Sequence, residues 1–411
     1  MTLEIRDELH VLARATSAPC AGRRTQYHRA LSTPIVDAHL DLAFNVLAGR
    51  DPELTAYEVR AAEEAVRSGR PKCMVKLPEL RRGGVAVAFA TLFTGTTTYD
   101  GDGNGIYSKP PDEEARRQLD VYLRWEAEGK ARIIRDRGSL ASHLEAWRSD
   151  GVLGIVVLIE GGDAIESPAA LPEWREAGVR IVGPAWSATR YCGGTGRPGG
   201  LTALGRELVQ GLRELGMILD ASHLAEEAFW DALEAGPGRI IASHSNARAL
   251  VPGGMIIGGD RQLSDEMIGA IGEAGGVIGI NLFNGFLVPE WEAAQIGRLL
   301  TSLLPGPVAD GEITNRVTLE AVRAHAEHIA ALIGWHRVGI GSDLDGGLGR
   351  DETPVELDTA ADLGRIADAV PPGAGPGVLG ENWLRFLADA LPASRNVSGG
   401  DGAPTDRSGA G

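Results

Sequence analysis

The stretch Pro34-Ile35-Val36-Asp37-Ala38-His39-Leu40-Asp41-Leu42 decides how this chain is read. A short apolar run follows a proline and ends in a histidine and an aspartate two residues apart. Side chains at i and i+2 of a β-strand share a face, so His39 and Asp41 are expected to converge from one strand end. An imidazole nitrogen beside a carboxylate oxygen is a donor pair that a zinc-class divalent cation takes. The same pair also serves as a hydrogen-bonded structural contact, so the rest of the chain has to decide.

Seven further strand-like segments follow, at 83–93, 151–162, 179–186, 217–223, 239–246, 276–284 and 338–347. Most are continuous apolar runs rather than alternating ones, the mark of strands buried on both faces. Helical sequence lies between them: 55–68, 112–148, 168–177, 202–215, 225–235, a helix opened by Ser264-Asp-Glu, a long insertion to about 334, and 380–391. Buried strands alternating with helices argue for α/β architecture, and eight such repeats suit a (β/α)₈ barrel, the TIM-barrel fold. The competing open, doubly wound sheet would carry a Gly-rich phosphate fingerprint after its first strand, and none stands there. Three regions result: a lead-in at 1–33, a barrel at 34–391, and a Gly-, Ser- and Asp-rich tail at 392–411 expected to be disordered.

Composition narrows the function classes. At 43% hydrophobic and 23% charged residues the chain reads as globular, with no apolar run long enough to cross a bilayer. A formal charge of −16 argues against a nucleic-acid partner, which needs basic patches. Cys20, Cys73 and Cys192 are odd in number and scattered, so no disulfide framework is expected. The charged N-terminus lacks the apolar core of a secretion signal, and a cytoplasmic protein is the expectation. No membrane partner is expected either; a homodimer is compatible with the sequence.

The polar residues at the strand ends form a pattern. The first strand offers His39 and Asp41, the third Glu160, the fifth His223, the sixth His244 and the eighth Asp343. A barrel gathers the carboxyl ends of its strands around one mouth, where such enzymes place their catalytic groups. These donors suffice for two metal ions, with His39 and Asp41 on one, His223 and His244 on the other, and the two oxygens of Glu160 bridging. Zinc is the first expectation for mixed imidazole and carboxylate donors. Paired ions share a water, lower its pKa and clamp a carbonyl oxygen. The remaining histidines do not compete: His325 and His328 fall on an exposed-looking helix, and His10, His28, His143 and His336 in polar helix or loop surroundings.

Other chemistries are disfavoured. Lysine occurs at 72, 76, 109 and 130 and nowhere later, which argues against a carboxylated-lysine metal bridge or a Schiff base on a late strand. Ser222 and Ser243 lack the Gly-x-Ser-x-Gly elbow of serine hydrolases. The order Asp100-Gly-Asp102-Gly-Asn104-Gly105 imitates a calcium loop, but its twelfth position is Pro111 rather than a glutamate, and a Gly-rich loop beside a ligand pocket is the expectation.

Five motifs together carry a family resemblance: 36–42 (VDAHLDL), Ile159-Glu160-Gly161-Gly162, Asp220-Ala221-Ser222-His223, Ser243-His244-Ser245-Asn246-Ala247, and 339–346 (GIGSDLDG). In order and spacing, from about 34 to 391, they resemble the membrane (renal) dipeptidases, peptidase family M19. The resemblance implies a metal-dependent dipeptidase on an amidohydrolase-type barrel with two zinc ions per chain. It implies that His39, Asp41, Glu160, His223 and His244 are ligands and that Asp343 moves a proton or meets the substrate amino group. It also implies an arginine for the substrate carboxylate, which Arg261 fits better than Arg248. Two positions depart from the family: Trp186 stands where many members carry a substrate-contacting histidine, and Phe283 where a tyrosine is frequent. These departures motivate an alternative substrate, a non-standard amide, a lactone or a modified peptide. A third reading, a binding protein without turnover, is opposed by retention of all six rim residues.

Overall fold

The computed structural model describes residues 33–95, 105–252, 261–289, 291 and 316–394. The lead-in up to residue 32, the tail beyond 394 and the calcium-loop-like segment 96–104 lie outside the described residues, as does 292–315 of the insertion.

Eight parallel strands build the core: β1 (Ile35–Leu40), β2 (Val85–Phe93), β3 (Leu153–Glu160), β4 (Val179–Gly183), β5 (Ile218–Asp220), β6 (Arg239–Ile241), β7 (Ile278–Ile280) and β8 (Val338–Ile340). Their order is β7-β8-β1-β2-β3-β4-β5-β6. The seam between β6 and β7 closes through a parallel bridge from Ala242 to Ile278, with Gly279 N donating to Ala242 O at 2.8 Å. A closed ring of eight parallel strands with helices between them is the (β/α)₈ barrel the sequence implied. Every residue of β1, β3 and β4 is buried, which explains why these strands read as unbroken apolar runs. At the seam the backbones crowd: a Cβ on Gly279 would lie 2.0 Å from Ser243 O, so only glycine fits.

Local signals set the helices. Thr55 forms a reciprocal capping box with Glu58, and Thr202, Ser264 and Thr318 each accept from a backbone N–H of the first turn. The helix Ala203–Glu214 buries Leu208, Val209 and Leu212, whereas Leu204 of the same periodic set is exposed. The last helix, Asn382–Ala390, lays Trp383 edge-on to Phe89 of β2, with its indole N–H donating to Ile340 O.

Several expectations need correction. The helical span 112–148 is two helices, Pro111–Ala127 and Arg137–Asp150, separated by a short strand, Ala131–Ile133, that pairs with β3. The hairpin Cys192–Gly194 with Arg197–Leu201 was missed, because its glycines, arginine and proline carry little strand propensity. His325 is not exposed: it is fully buried on the helix Leu319–Ile333. His143 is buried too, donating through Nε2 to Ala86 O at 2.9 Å.

Candidate metal-binding active site

Each strand delivers its polar residue to the barrel mouth. β1 ends at Leu40, so His39 sits within the strand while Asp41, one residue beyond, holds the N-cap position of the helix Leu42–Leu47 without a side-chain capping bond. Glu160 is the last residue of β3. His223, His244 and Asp343 each lie three residues past β5, β6 and β8. All six are largely buried, Asp343 the least so with 13% of its side chain exposed.

Glu160 is the centre of the arrangement. Its Oε2 lies 3.4 Å from His39 Nε2, while its Oε1 lies 3.2 Å from His223 Nε2 and 3.4 Å from His244 Nε2. His223 Nε2 and His244 Nε2 are 3.0 Å apart. On the other side, donor atoms of His39, Asp41 and Asp343 fall within 4.8 Å of one another, as do those of His39, Glu160 and His244. One carboxylate thus faces imidazoles with both oxygens, a different set with each.

Hydrogen bonding beneath the rim sets the tautomer of His244. Ser243 Oγ donates its one proton to Asp220 Oδ2 at 2.5 Å, so it accepts from His244 Nδ1 at 2.7 Å. That leaves His244 Nε2 with a bare lone pair aimed at Glu160 Oε1 and His223 Nε2. His223 Nδ1 meets the Thr195 hydroxyl at 2.9 Å, from the turn of the missed hairpin. A second buried acid, Asp37, accepts from His39 N and from Ser342 N and Oγ, tying β1 to the loop that carries Asp343. Asp343 Oδ2 accepts from Asn281 Nδ2 at 3.0 Å, and Asp41 accepts from Thr91.

The electrostatics of the chain alone point the same way. Burial disfavours charge on His39, but the Glu160, Asp343 and Asp41 carboxylates outweigh it and raise its pKa to about 10. Burial raises Asp41 to about 6 and Asp343 to about 7, neighbouring carboxylates adding to both shifts. Glu160 is held well below the usual carboxylate range, the His39 and His223 interactions overriding its burial. Burial lowers His223 to about 4 and His244 further, so both stay neutral. Lone pairs converge on one side and acids crowd on the other. That donor set fits a pair of divalent cations. Three of the four non-glycine residues with positive φ among those described lie at this mouth, His223 at 68°, Asp343 at 60° and Asp345 at 63°; such strained backbone gathers at functional sites.

Above the rim lies a cavity of about 800 Å³ lined by Glu160, Trp186, Arg261, Phe283 and Asp343, among others. Arg261 donates to Ser245 Oγ at 3.1 Å and to His244 O at 2.7 Å, which leaves its buried Nε with no partner among the described residues. Arg248 instead pairs with Glu226 and does not line the cavity.

Comparison with known proteins agrees with this geometry. The family model of membrane dipeptidases (peptidase family M19) matches residues 26–394. This chain belongs to that family. Its members are metallo-dipeptidases, hydrolases acting on peptide bonds. An uncharacterized protein of the pqqA 5′ region of Klebsiella pneumoniae is 32% identical over 262 residues, covering 60% of this chain and 86% of that protein. An uncharacterized dipeptidase, C965.12, of Schizosaccharomyces pombe is 28% identical over 211 residues, covering 49% of this chain and 44% of that one, so the chain spans under half of that relative. Among solved structures, a metallo peptidase from Rhodobacter sphaeroides, liganded with a phosphinate mimic of the dipeptide L-Ala-D-Ala, superposes with a TM-score of 0.65 at 23% identity. That match covers 87% of this chain and 99% of the other and shows the shared fold. Among the described residues no helix is long and apolar enough to cross a membrane.

Sequence reasoning missed the layer beneath the rim: Asp37, Asp220, Ser243, Ser342, Thr195 and Asn281. A signal was present, since a serine directly precedes His223, His244 and Asp343 alike.

Proposed function

We propose that this M19 protein hydrolyses dipeptides at a binuclear zinc centre, with His39 and Asp41 on one ion, His223 and His244 on the other, and Glu160 bridging. The observation that carries this reading is the division of Glu160's two oxygens between His39 and the His223–His244 pair. Such a pair of ions, when bound, lowers the pKa of water toward neutrality and polarises the scissile carbonyl.

The chain's own groups supply the rest. Asp343, with a pKa pushed to about 7 and one oxygen anchored by Asn281, is poised to take a proton at Oδ1 and return it to the leaving amine. The alternative role for Asp343, implied by the family resemblance, is to meet the substrate amino group. Arg261, clamped by His244 O and Ser245, lines the cavity and receives the substrate carboxylate. Trp186 closes the wall beside His223 and offers the substrate one N–H donor and no proton relay. That substitution is what favours a second reading, hydrolysis of a non-standard amide, lactone or modified peptide at the same site.

Purified protein, with and without added Zn²⁺, assayed on L,L and L,D dipeptides beside amide and lactone analogues decides between them. Zinc-dependent dipeptide turnover that disappears in His223→Ala is the expected result. Turnover confined to the analogues would replace the first reading with the second, and zinc-independent turnover would remove the binuclear centre.

A further inference from the structure

Two aromatic clusters line the cavity, and they differ in what stands beside them. In the first, Phe44 meets Phe93 edge-to-face (centroids 5.6 Å apart, 87°), and Phe93 meets Trp186 likewise (5.4 Å, 77°). Phe44 follows Asp41 by three residues, Phe93 ends β2 in register with Glu160, and Trp186 lies 6.2 Å from the His223 ring. Gly95 makes this packing possible: a Cβ there would lie 2.6 Å from the Trp186 ring and 2.7 Å from Phe93. In the second, Phe283 and Phe286 pack edge-to-face at 4.9 Å, and the Arg261 guanidinium lies 4.9 Å from the Phe286 ring centroid.

Phe44 is 40% exposed although it lines the cavity. Apolar area held open in a pocket is recovered when a ligand covers it. The cavity, at about 800 Å³, is also far larger than two small residues fill. With the carboxylate at Arg261, the C-terminal residue lies beside Phe283 and Phe286. In the reading above the carbonyl lies over Glu160 and the amine toward Asp343, and the apolar lining left for the N-terminal side chain is that carried beside β1, β2 and β4. There Phe44, Phe93 and Trp186 stand.

We propose that the Phe44–Phe93–Trp186 wall is the subsite for the N-terminal side chain, and that the enzyme selects dipeptides whose N-terminal residue carries a large apolar, above all aromatic, side chain. The proposal rests on the dipeptidase reading above and adds to it the substrate class.

The test compares kcat/KM of the zinc-loaded full chain on L-Phe-Gly, L-Leu-Gly and L-Ala-Gly, with isothermal titration of phosphinate analogues of the first and last. Covering a benzyl group should favour Phe-Gly over Ala-Gly by roughly ten- to a hundredfold. Phe93→Leu and Trp186→Ala, checked for native circular dichroism, should each shrink that ratio at least about fivefold, since each removes ring contact. A Phe-to-Ala ratio within threefold, or one that both variants leave intact, overturns the proposal while the dipeptidase reading stands. If no dipeptide is cleaved, that reading fails, and the titration still judges the wall: equal affinity for the two analogues overturns it, tighter binding of the phenylalanyl one supports it.

Discussion

The two halves of the metal rim are built from opposite materials. Around β8, β1 and β2 the donors are chiefly acids, Asp41 and Asp343 with His39 between them, and burial drives both carboxyls upward, to about 6 and about 7. Around β5 and β6 the donors are imidazoles, and burial drives His223 down to about 4. One half carries more negative charge than its buried setting tolerates; the other holds neutral imidazoles whose Nε2 atoms crowd Glu160 Oε1. Either imbalance is relieved by a cation, and Glu160 couples the two with one oxygen toward each. In the proposed reading this difference makes the rim two half-sites joined by a single carboxylate, although the His39 and His244 rings also meet at 3.7 Å between centroids.

The strongest way to break that comparison is to remove the joint. Glu160→Gln keeps the shape and removes the charge that both halves share. Losing the bridge should cost several kcal/mol of transition-state stabilisation, a fall in kcat/KM on the order of a thousandfold. Zinc content measured by elemental analysis should fall in the same variant. A variant that kept two zinc ions and near-normal turnover would show the halves to be independent of Glu160.

The struts below the rim sharpen the contrast at smaller scale. Asp220 accepts from Ser222 N, Ser243 N and Ser243 Oγ and so sets the tautomer of His244; Asp37 instead holds the backbone, accepting from His39 N, Ser342 N and Ser342 Oγ and so pinning the strand that carries His39 to the loop that carries Asp343. Outer partners of metal ligands are worth about ten- to a hundredfold in metal affinity. Asp220→Asn should therefore weaken one zinc step by that factor, and Asp37→Asn the other, as read by chelator competition. If each variant weakened both steps alike, the division into halves would be wrong.

The barrel and the rim were legible because both rest on local patterns. Continuous apolar runs such as 151–159 announce strands covered on both faces, and a polar residue at the end of a run can only lie at the mouth. The struts were not legible, because an aspartate such as Asp37 inside an apolar run gains its meaning from Ser342, 305 residues away. The hairpin carrying Thr195 escaped for the opposite reason: its own residues favour no strand, and its pairing depends on the surrounding fold. Asp41, read as the last strand residue, holds the N-cap position of a helix, which moves it by one position without taking it from the rim. His325 looked exposed because its helix alternates charged and apolar residues, and only tertiary packing shows which face is covered.

His325 also supplies the smallest and most specific test of the two halves. It braces the imidazole-rich half alone: its Nδ1 accepts from Ala247 N, three residues past His244, and its Nε2 donates to Leu287 O. An unfolded imidazole binds its proton near 6.5, whereas burial, assisted by nearby His328 and only partly offset by Leu287 O, lowers the folded value to about 4. Below pH 6.5 the unfolded chain therefore binds more protons than the folded one, so this contribution is present above that pH and is lost as pH falls toward 4. In His325→Phe the Ala247 N–H loses its acceptor, which should cost about 1–3 kcal/mol at pH 7 in urea unfolding. The variant no longer titrates there, so its deficit against the parent should narrow by about 2 kcal/mol between pH 7 and pH 5. Any metal ligation and the rim carboxylates are common to both proteins and cancel in that difference. A deficit that stayed constant across the interval would mean that acid does not loosen the imidazole-rich half through this residue, and the asymmetry between the halves would then stop at the rim.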